Sequence, residues 1–445
     1  MKIKLSPHQI LIIGFGLAIL IGTILLTLPI SSSSGKPTTF IDALFTATSS
    51  VCVTGLIVVN TATHYSLFGK LIILFLIQIG GLGIMTFSTL LSLLIGKQIT
   101  LKEKIIQAEA LNKFTFGNIV TFTLYIFSVT LIFEIIGAVI LSFCFIKEFG
   151  LLGGIFRGIF HSVSAFCNAG FSIFPTNLTN YVHNLPVNLT ITTLIILGGI
   201  GYIVLDDIYY YTKTKQISVH TRFTLIITIT LIVLGTLTIF LLENNNPNTI
   251  GNFTLKDKIL SSYFSSVTPR TAGFNTLDFS SMKISTILFI MLLMFIGASP
   301  GGTGGGIKTT TFGVIFISVL QILRGEKQVN LFNRKIPEEI VKRSFILFFL
   351  AISWIFLISF ILSIFENQSP LRICFEVISA LGTVGLSIAK GTSLSLSSMF
   401  TWFGKLLIII TMFFGRLGPL TIGLAIAYRE DKVTLKYPEE RISIG

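Results

Sequence analysis

Long apolar runs alternate with polar connections along this chain. A helix needs about 20 apolar residues to cross a bilayer, and eight runs reach that length, at roughly 9–30, 67–95, 118–146, 187–211, 221–242, 284–322, 342–365 and 401–428. A shorter stretch of about ten to fourteen moderately apolar residues follows each odd-numbered run, too short to span and of a length that fits a re-entrant helix. The pattern predicts an all-α polytopic membrane protein.

The four short stretches align with one another. Each ends in a glycine, with an aromatic residue ten positions before it and Leu or Phe directly after it. The glycines are Gly55, Gly170, Gly273 and Gly385. Helix packing alone would explain one such glycine. Four at matched offsets indicate four copies of one helix–pore loop–helix unit.

These copies divide the chain into repeats at 1–96, 97–212, 213–322 and 323–428, followed by a cytoplasmic tail at 429–445. The second span of each repeat carries a further glycine-containing patch, at 80–83, 198–201, 297–301 and 415–418. Close packing of the inner helices is the simplest interpretation of these patches.

The pore-loop glycines predict a potassium-channel-like site. Glycine adopts positive φ at little cost, so the chain can turn successive carbonyls toward one axis. Non-helical backbone at membrane depth is tolerated where protein buries it or where it lines a watery cavity. Four such turns around one pore would form rings of carbonyl oxygens that replace the hydration shell of a potassium ion. The predicted filter residues are Val53, Thr54, Gly55, Asn168, Ala169, Gly170, Thr271, Ala272, Gly273, Thr383, Val384 and Gly385.

Composition and charge agree with a membrane protein. Only 11% of residues are charged and the mean hydropathy is +0.87, too few charges to cover a solvent-facing surface. The formal charge of +13 comes mainly from Lys and Arg in alternate connections, so it indicates topology rather than nucleic-acid binding. The positive-inside rule places both termini in the cytoplasm.

The sequence offers no enzyme chemistry. Its four cysteines and five histidines are scattered, without the spacing of zinc sites or disulfide frameworks. It shows no nucleophile–histidine set and no paired carboxylates on one face. A carrier of organic solutes with inverted repeats is the main alternative, but such folds lack four matched glycines. No cofactor is predicted in this chain, and transported K⁺ is the expected ion.

The sixth apolar run is broken in its middle by five glycines and a proline, which cannot propagate a helix. Broken spans at this depth mark functional sites in transporters. The predicted gate comprises Ala298, Ser299, Pro300, Gly301, Gly302, Thr303, Gly304, Gly305 and Gly306, together with Arg416. Arg416 lies deep in the last span, where a charge should face protein or water. We expect it to donate to carbonyls of this loop and to set the closed state, with snorkelling to the interface as the alternative.

Five other charged residues lie in or near the apolar runs. Glu134 is expected to pack as a buried acid or to pair with a base. Arg270 is expected to brace the filter from behind, and Glu376 to begin the fourth pore helix, where a carboxylate suits the N-terminus. Asp206 and Asp207 are expected to form a solvated rim.

Several motifs resemble the Trk/Ktr/HKT superfamily of potassium transporters, most closely the membrane subunits of bacterial Ktr uptake systems. They are Asp42-Ala-Leu-Phe-Thr-Ala, Val53-Thr-Gly-Leu56, Leu76-Ile-Gln-Ile-Gly-Gly-Leu-Gly83, Thr268-Pro-Arg-Thr-Ala-Gly-Phe-Asn275, Gly304-Gly-Gly-Ile-Lys-Thr-Thr-Thr311 and Gly415-Arg-Leu-Gly-Pro-Leu420. The resemblance covers essentially the whole chain. It implies a multi-pass protein of the bacterial cell membrane, with a gating loop below the filter.

The same resemblance implies partners and ions that the residues alone do not reveal. It implies a homodimer with one pore per subunit, seated on a cytosolic octameric ring of nucleotide-binding regulatory subunits. It also implies that Na⁺ promotes uptake as an activating or coupled ion. Some plant relatives that prefer sodium have serine in the first pore loop, so Gly55 favours potassium.

Overall fold

The computed structural model describes residues 7–94, 119–326, 328–391 and 393–418. The connection at 97–115, the end of the last predicted span and the predicted tail at 429–445 lie outside the described residues. The first repeat begins with span α1, Pro7–Thr27, and pore helix α2, Phe40–Val51. It continues with α3, Thr61–His64, α4, Leu67–Leu82, and α5, Ile84–Leu94. The second repeat contains α6, Ile119–Phe166, α7, Leu185–Gly199, and α8, Tyr202–Thr214.

The third and fourth repeats follow the same order. The third contains α9, Val219–Glu243, pore helix α10, Leu255–Val267, and the two pieces of its second span, α11, Ile284–Phe295, and α12, Thr309–Leu323. A small hairpin of β1, Asn330–Leu331, and β2, Arg334–Lys335, connects it to the fourth. The fourth contains α13, Glu338–Phe365, pore helix α14, Pro370–Gly382, and α15, Trp402–Leu417. Short 3-10 helices lie at Pro29–Ser31, Thr179–Tyr181, Phe279–Ser281 and Leu396–Met399.

Local sequence explains where the pore helices begin. Thr39 and Asp42 cap the start of α2, and Thr254 and Asp257 cap α10 in the same way, because each threonine hydroxyl accepts the backbone N–H three residues later. In α14, Pro370 occupies the first turn, where its fixed φ and missing N–H cost nothing. In α6 the first span and the pore helix form one helix with a kink at Gly150, whose φ is 72°.

The outer faces of the first spans are apolar. Leu241 of α9 and Phe349 and Phe356 of α13 are 70–73% exposed. Surfaces that face water rarely carry large apolar patches of such side chains. Within the described ranges, four helices are long and apolar enough to span a membrane, and the bent pair of α7 and α8 makes a fifth. These faces are suited to lipid, as expected for an all-α polytopic membrane protein.

The apolar runs predict a continuous helix for each second span except the broken one of repeat 3, and the structure interrupts those of repeats 1 and 2 as well. Gly83, with φ 80°, separates α4 from α5, and α7 meets α8 at 96° next to Gly201, with φ 100°. α11 and α12 are separated by the predicted glycine-rich loop. α15 ends at Gly418, with φ 84°. All four inner segments are thus interrupted or ended near their glycine patches.

The first and last repeats are joined directly. The Lys405 ammonium of α15 lies 2.7 Å from the Asp42 carboxylate at the start of α2, and both side chains are largely buried. The four repeats therefore close into a ring around a common axis, with the pore helices on its inside.

Candidate functional site

The four pore loops share an unusual backbone conformation. In each loop the glycine and the residue two positions before it both have positive φ. The pairs are Val53 and Gly55, Asn168 and Gly170, Thr271 and Gly273, and Thr383 and Gly385, with φ between 50° and 90°. Positive φ is uncommon outside glycine, and is rare for β-branched Val and Thr. Four non-glycine residues in this conformation at matched positions mark these loops as the candidate functional site.

Hydrogen bonds hold the loop N–H groups toward the pore helices. Val53 N donates to Ser50 O and Thr54 N to Ser49 O, at 3.2 and 2.8 Å. The corresponding bonds of repeats 2 and 4 run from Asn168 and Ala169, and from Thr383 and Val384, at 2.7 to 3.2 Å. These N–H groups are therefore bound on the pore-helix side of the loops.

The filter glycines lie against one another in sequence order around this axis. A Cβ on Gly55 would meet the Ala169 carbonyl and Gly170, and one on Gly170 would meet the Ala272 carbonyl and Gly273. The same relation connects Gly273 to Val384 and Gly385, and Gly385 to Thr54 and Gly55. The order is therefore 1–2–3–4, with repeats 2 and 4 on opposite sides. The twelve residues predicted from the sequence lie together at this constriction.

The second-span glycines support the same ring from outside. Gly80, Gly198 and Gly415 each lie against the carbonyl of the residue four positions before the filter glycine of their own repeat, namely Val51, Phe166 and Leu381. A Cβ at any of the three would overlap that oxygen. The packing interpretation of these patches agrees with the contacts.

The loop between α11 and α12 lies directly beneath the filter. Ser299 N and Thr303 N donate to the carbonyls of Gly199 and Gly198 in repeat 2, at 2.9 and 3.0 Å. On the other side, Gly305 N donates to Thr383 Oγ1 of the fourth filter loop, at 3.0 Å. The loop therefore crosses the axis, in contact with opposite repeats. The predicted gate residues 298–306 all belong to this segment.

Two basic side chains hold the loop. The Arg416 guanidinium donates to the carbonyl of Thr303 and to that of Gly80 in repeat 1, so it faces protein rather than snorkelling. Lys308 Nζ donates to the carbonyl of Gly304, at 2.7 Å. The contact of Lys308 with the loop was not predicted, since its only signal in the sequence is a basic residue two positions after the glycine-rich segment.

Other charged residues occupy defined positions. Glu134 accepts from Gln78 Nε2 at 3.3 Å and lies near Cys167 Sγ, with no basic partner in the described ranges. Arg270 is buried and donates to Thr228 of α9, behind the filter. Asp207 accepts from Ser218 and Thr221 at the start of α9, so a purely solvated rim is wrong for this residue.

The expectation for Glu376 was also wrong. It lies in the middle of α14, well past the first turn at Pro370, and its carboxylate is fully buried. It accepts hydrogen bonds from Ser387 and Ser397 rather than from the helix N-terminus. Ser387 follows the filter glycine by two positions, a contact that sequence spacing alone did not reveal.

The geometry defines a class: a polytopic membrane protein whose four pore loops meet around one axis. Comparison with known proteins specifies it further. The profile of the TrkH family, described as cation transport protein, matches residues 6–435, and the chain belongs to this family.

Several relatives match along their full length. The chain is 45% identical to the Ktr system potassium uptake protein B of Bacillus subtilis, over 100% of this chain and 98% of that protein. It is 39% identical to the potassium/sodium uptake protein NtpJ of Enterococcus hirae, over 99% and 98%. The crystal structure of the potassium transporter TrkH from Vibrio parahaemolyticus superimposes with a TM-score of 0.73 at 19% identity, covering 96% and 86%. This last likeness concerns the fold.

Proposed function

We propose that this chain takes up potassium ions across the bacterial cell membrane through a selectivity filter made by its four pore loops. The observation that carries the proposal is the set of eight positive-φ residues at matched positions. This backbone aims carbonyl oxygens from four sides at one axis, where they substitute for water around a dehydrated K⁺. Relatives named as potassium uptake proteins support the choice of ion.

Uptake by cells that lack their own potassium transporters tests this function. We expect such cells to grow at low external K⁺ and to accumulate Rb⁺ when they express the chain with its regulatory subunit. Uptake should be measured with and without Na⁺, because one relative is named for both ions. Equal rates of Rb⁺ and Na⁺ uptake would contradict potassium selectivity.

The segment at 298–306 is proposed to gate this pathway from below the filter. The support is its position across the axis, with hydrogen bonds to Gly198, Gly199 and Thr383, and its attachment to Arg416. A segment with five glycines does not hold one conformation by itself, so these contacts select the closed form. Release of the contacts would open the path.

The partners follow from the family and remain part of this proposal. The chain is proposed to act as a homodimer with one pore per subunit, on a cytosolic octameric ring that binds nucleotide. Relatives named as components of a Ktr system support a partner of this kind. Na⁺ is proposed to promote uptake, as an activating or a coupled ion.

The proposed orientation places both termini and the β1–β2 hairpin in the cytoplasm. Lys335 of the hairpin and Ser33, between α1 and α2, are exposed at opposite ends of the repeats. We expect a membrane-impermeant thiol reagent to label Ser33→Cys in intact cells and to label Lys335→Cys only in opened cells. The unmodified chain, with its own four cysteines, is the background control. The reverse labelling pattern would contradict this orientation.

A further inference from the structure

The mouth of the filter carries matching serines on two opposite sides. Ser172 and Ser387 each follow a filter glycine, Gly170 and Gly385, by two positions. Both line the cavity at the end of the filter away from the glycine-rich loop, and both are partly exposed there. Because repeats 2 and 4 face each other across the axis, the two serines do so too.

Each serine is bound to a buried polar side chain at the same place in its own pore helix. Ser172 Oγ lies 2.9 Å from His161 Nε2, and Ser387 Oγ lies 2.6 Å from Glu376 Oε2. Both pairs are eleven residues apart, and both His161 and Glu376 are fully buried. Repeats 2 and 4 therefore share the same kind of contact, in which the partner of the serine is a histidine in one repeat and a glutamate in the other.

The hydrogen-bond pattern fixes the direction of each serine hydroxyl. His161 Nδ1 lies 2.8 Å from the carbonyl of Arg157, which only accepts, so in the neutral imidazole Nδ1 carries the proton and Nε2 accepts from Ser172. The Glu376 carboxylate likewise accepts from Ser387. Each serine oxygen also accepts one backbone N–H, from Phe174 or Leu396, at 3.0 and 2.8 Å.

A hydroxyl has one donor and two acceptor lone pairs. In both serines the donor is directed to the pore helix and one lone pair is occupied, so one lone pair has no donor among the residues that the structure describes. Neither hydroxyl proton is left to face an incoming cation. The corresponding positions of repeats 1 and 3 are Ile57 and Asn275, with Thr46 and Phe264 in their pore helices, so this arrangement is confined to one pair of opposite repeats.

We propose that Ser172 and Ser387 form a cation site at the mouth of the filter, with His161 and Glu376 as its positioning residues. The site takes a partly hydrated K⁺ before it enters the carbonyl rings, and the two hydroxyl oxygens replace waters on opposite sides of the ion. This inference rests on the proposed potassium filter and adds a loading step in front of it. Hydroxyl oxygen is a ligand of the same hard type as the filter carbonyls.

The test compares the K⁺ dependence of initial uptake in reconstituted vesicles. For Ser172→Ala and Ser387→Ala we expect the half-saturating K⁺ concentration to rise about threefold each, and about tenfold together, the size of one and two ordinary hydrogen bonds. The maximal rate should change less than twofold, because the carbonyl rings are intact. Ser387→Thr retains the hydroxyl and should restore half-saturation close to that of the unmodified chain.

Matched variants separate an ion contact from a structural role. Ser397 gives its hydroxyl to the same Glu376 carboxylate but does not line the mouth, so Ser397→Ala should leave half-saturation unchanged. His161→Gln should raise half-saturation in the unmodified chain and add nothing to Ser172→Ala. The alanine variants each remove one oxygen, so they keep the proposal testable even where the His161 variant does not fold.

Two results would overturn the site. One is a double alanine variant whose half-saturation stays within twofold of the unmodified chain. The other is an effect of Ser397→Ala as large as that of Ser387→Ala. If the unmodified chain carries no K⁺, the proposed function and this site fail together. If it carries K⁺ and the serine substitutions leave the half-saturating K⁺ concentration unchanged, only the proposed site is refuted.

Discussion

Replacing Gly55 with serine should reduce the preference for K⁺ over Na⁺ at least tenfold or abolish K⁺ uptake. Gly55 has φ 88°, and a Cβ there would lie 2.5 Å from the Ala169 carbonyl oxygen and 3.1 Å from Gly170 Cα. Positive φ outside glycine costs about 1–3 kcal/mol, and the overlap with the carbonyl adds to it. The ring must therefore shift at the place where its oxygens are proposed to hold the ion.

The measurement is Rb⁺ uptake in competition with Na⁺, normalised to folded protein. Gly35→Ser is the matched control, because Gly35 also has positive φ, at 68°, but an added Cβ would meet nothing within 4 Å. It carries a comparable backbone cost without touching the filter. Unchanged selectivity in Gly55→Ser would place Gly55 outside the ion path. An equal loss in Gly35→Ser would attribute the effect to general destabilisation.

Replacing Arg416 with glutamine should raise K⁺ flux and reduce its dependence on the regulatory subunit. Arg416 joins the carbonyl of Thr303 in the loop to that of Gly80 in repeat 1. A hydrogen bond from a charged donor contributes about 1.5–3 kcal/mol, so losing one or two shifts a two-state gate at least tenfold. Selectivity should survive, since the filter residues are unchanged.

Deletion of residues 301–305 tests the same gate without altering Arg416. The base of the loop lies outside the deletion and is closed by the bond from Gly297 N to Ile307 O, at 2.8 Å. Arg343→Gln is the control, because Arg343 is exposed and pairs only with Glu339 one turn away among the ion pairs of the described residues. Initial uptake at saturating K⁺ is the readout. If Arg416→Gln and the deletion variant both fold and show unchanged flux and regulation, the loop is not the gate and only contributes to packing.

The aligned repeats predicted the pore helices closely, because their positions depend on local signals. Thr39 caps the start of α2 and Pro370 occupies the first turn of α14, and in these two repeats the loop glycine follows the start of the helix by 15 residues. Each loop glycine is a weak signal by itself, and its recurrence at the same position in four repeats makes the prediction strong. Residues of the predicted filter therefore lie together even though they come from four distant parts of the chain.

The break in the second span of repeat 3 was predicted, but the interruptions near Gly83 and Gly201 were not. One glycine in an apolar run costs a helix only about 1 kcal/mol, so Gly83 and Gly201 do not by themselves indicate a break. In the folded chain, Gly201 is packed against the carbonyl of Pro300 in the loop, a neighbour from another repeat. The contacts of Glu376 could not be predicted for the same reason, because Ser387 and Ser397 lie on loops whose conformation does not follow from the hydrophobic pattern.

The ring of four unlike loops has a consequence for how such a pore can vary. In a channel assembled from identical subunits, every substitution appears four times around the axis. Here Val53, Asn168, Thr271 and Thr383 occupy equivalent places, and each can be exchanged alone. The loop between α11 and α12 can then occur in one repeat of four, since no symmetry requires copies of it in the other three. Four copies that each crossed the axis would overlap there, so a single polypeptide permits a segment that fourfold symmetry excludes.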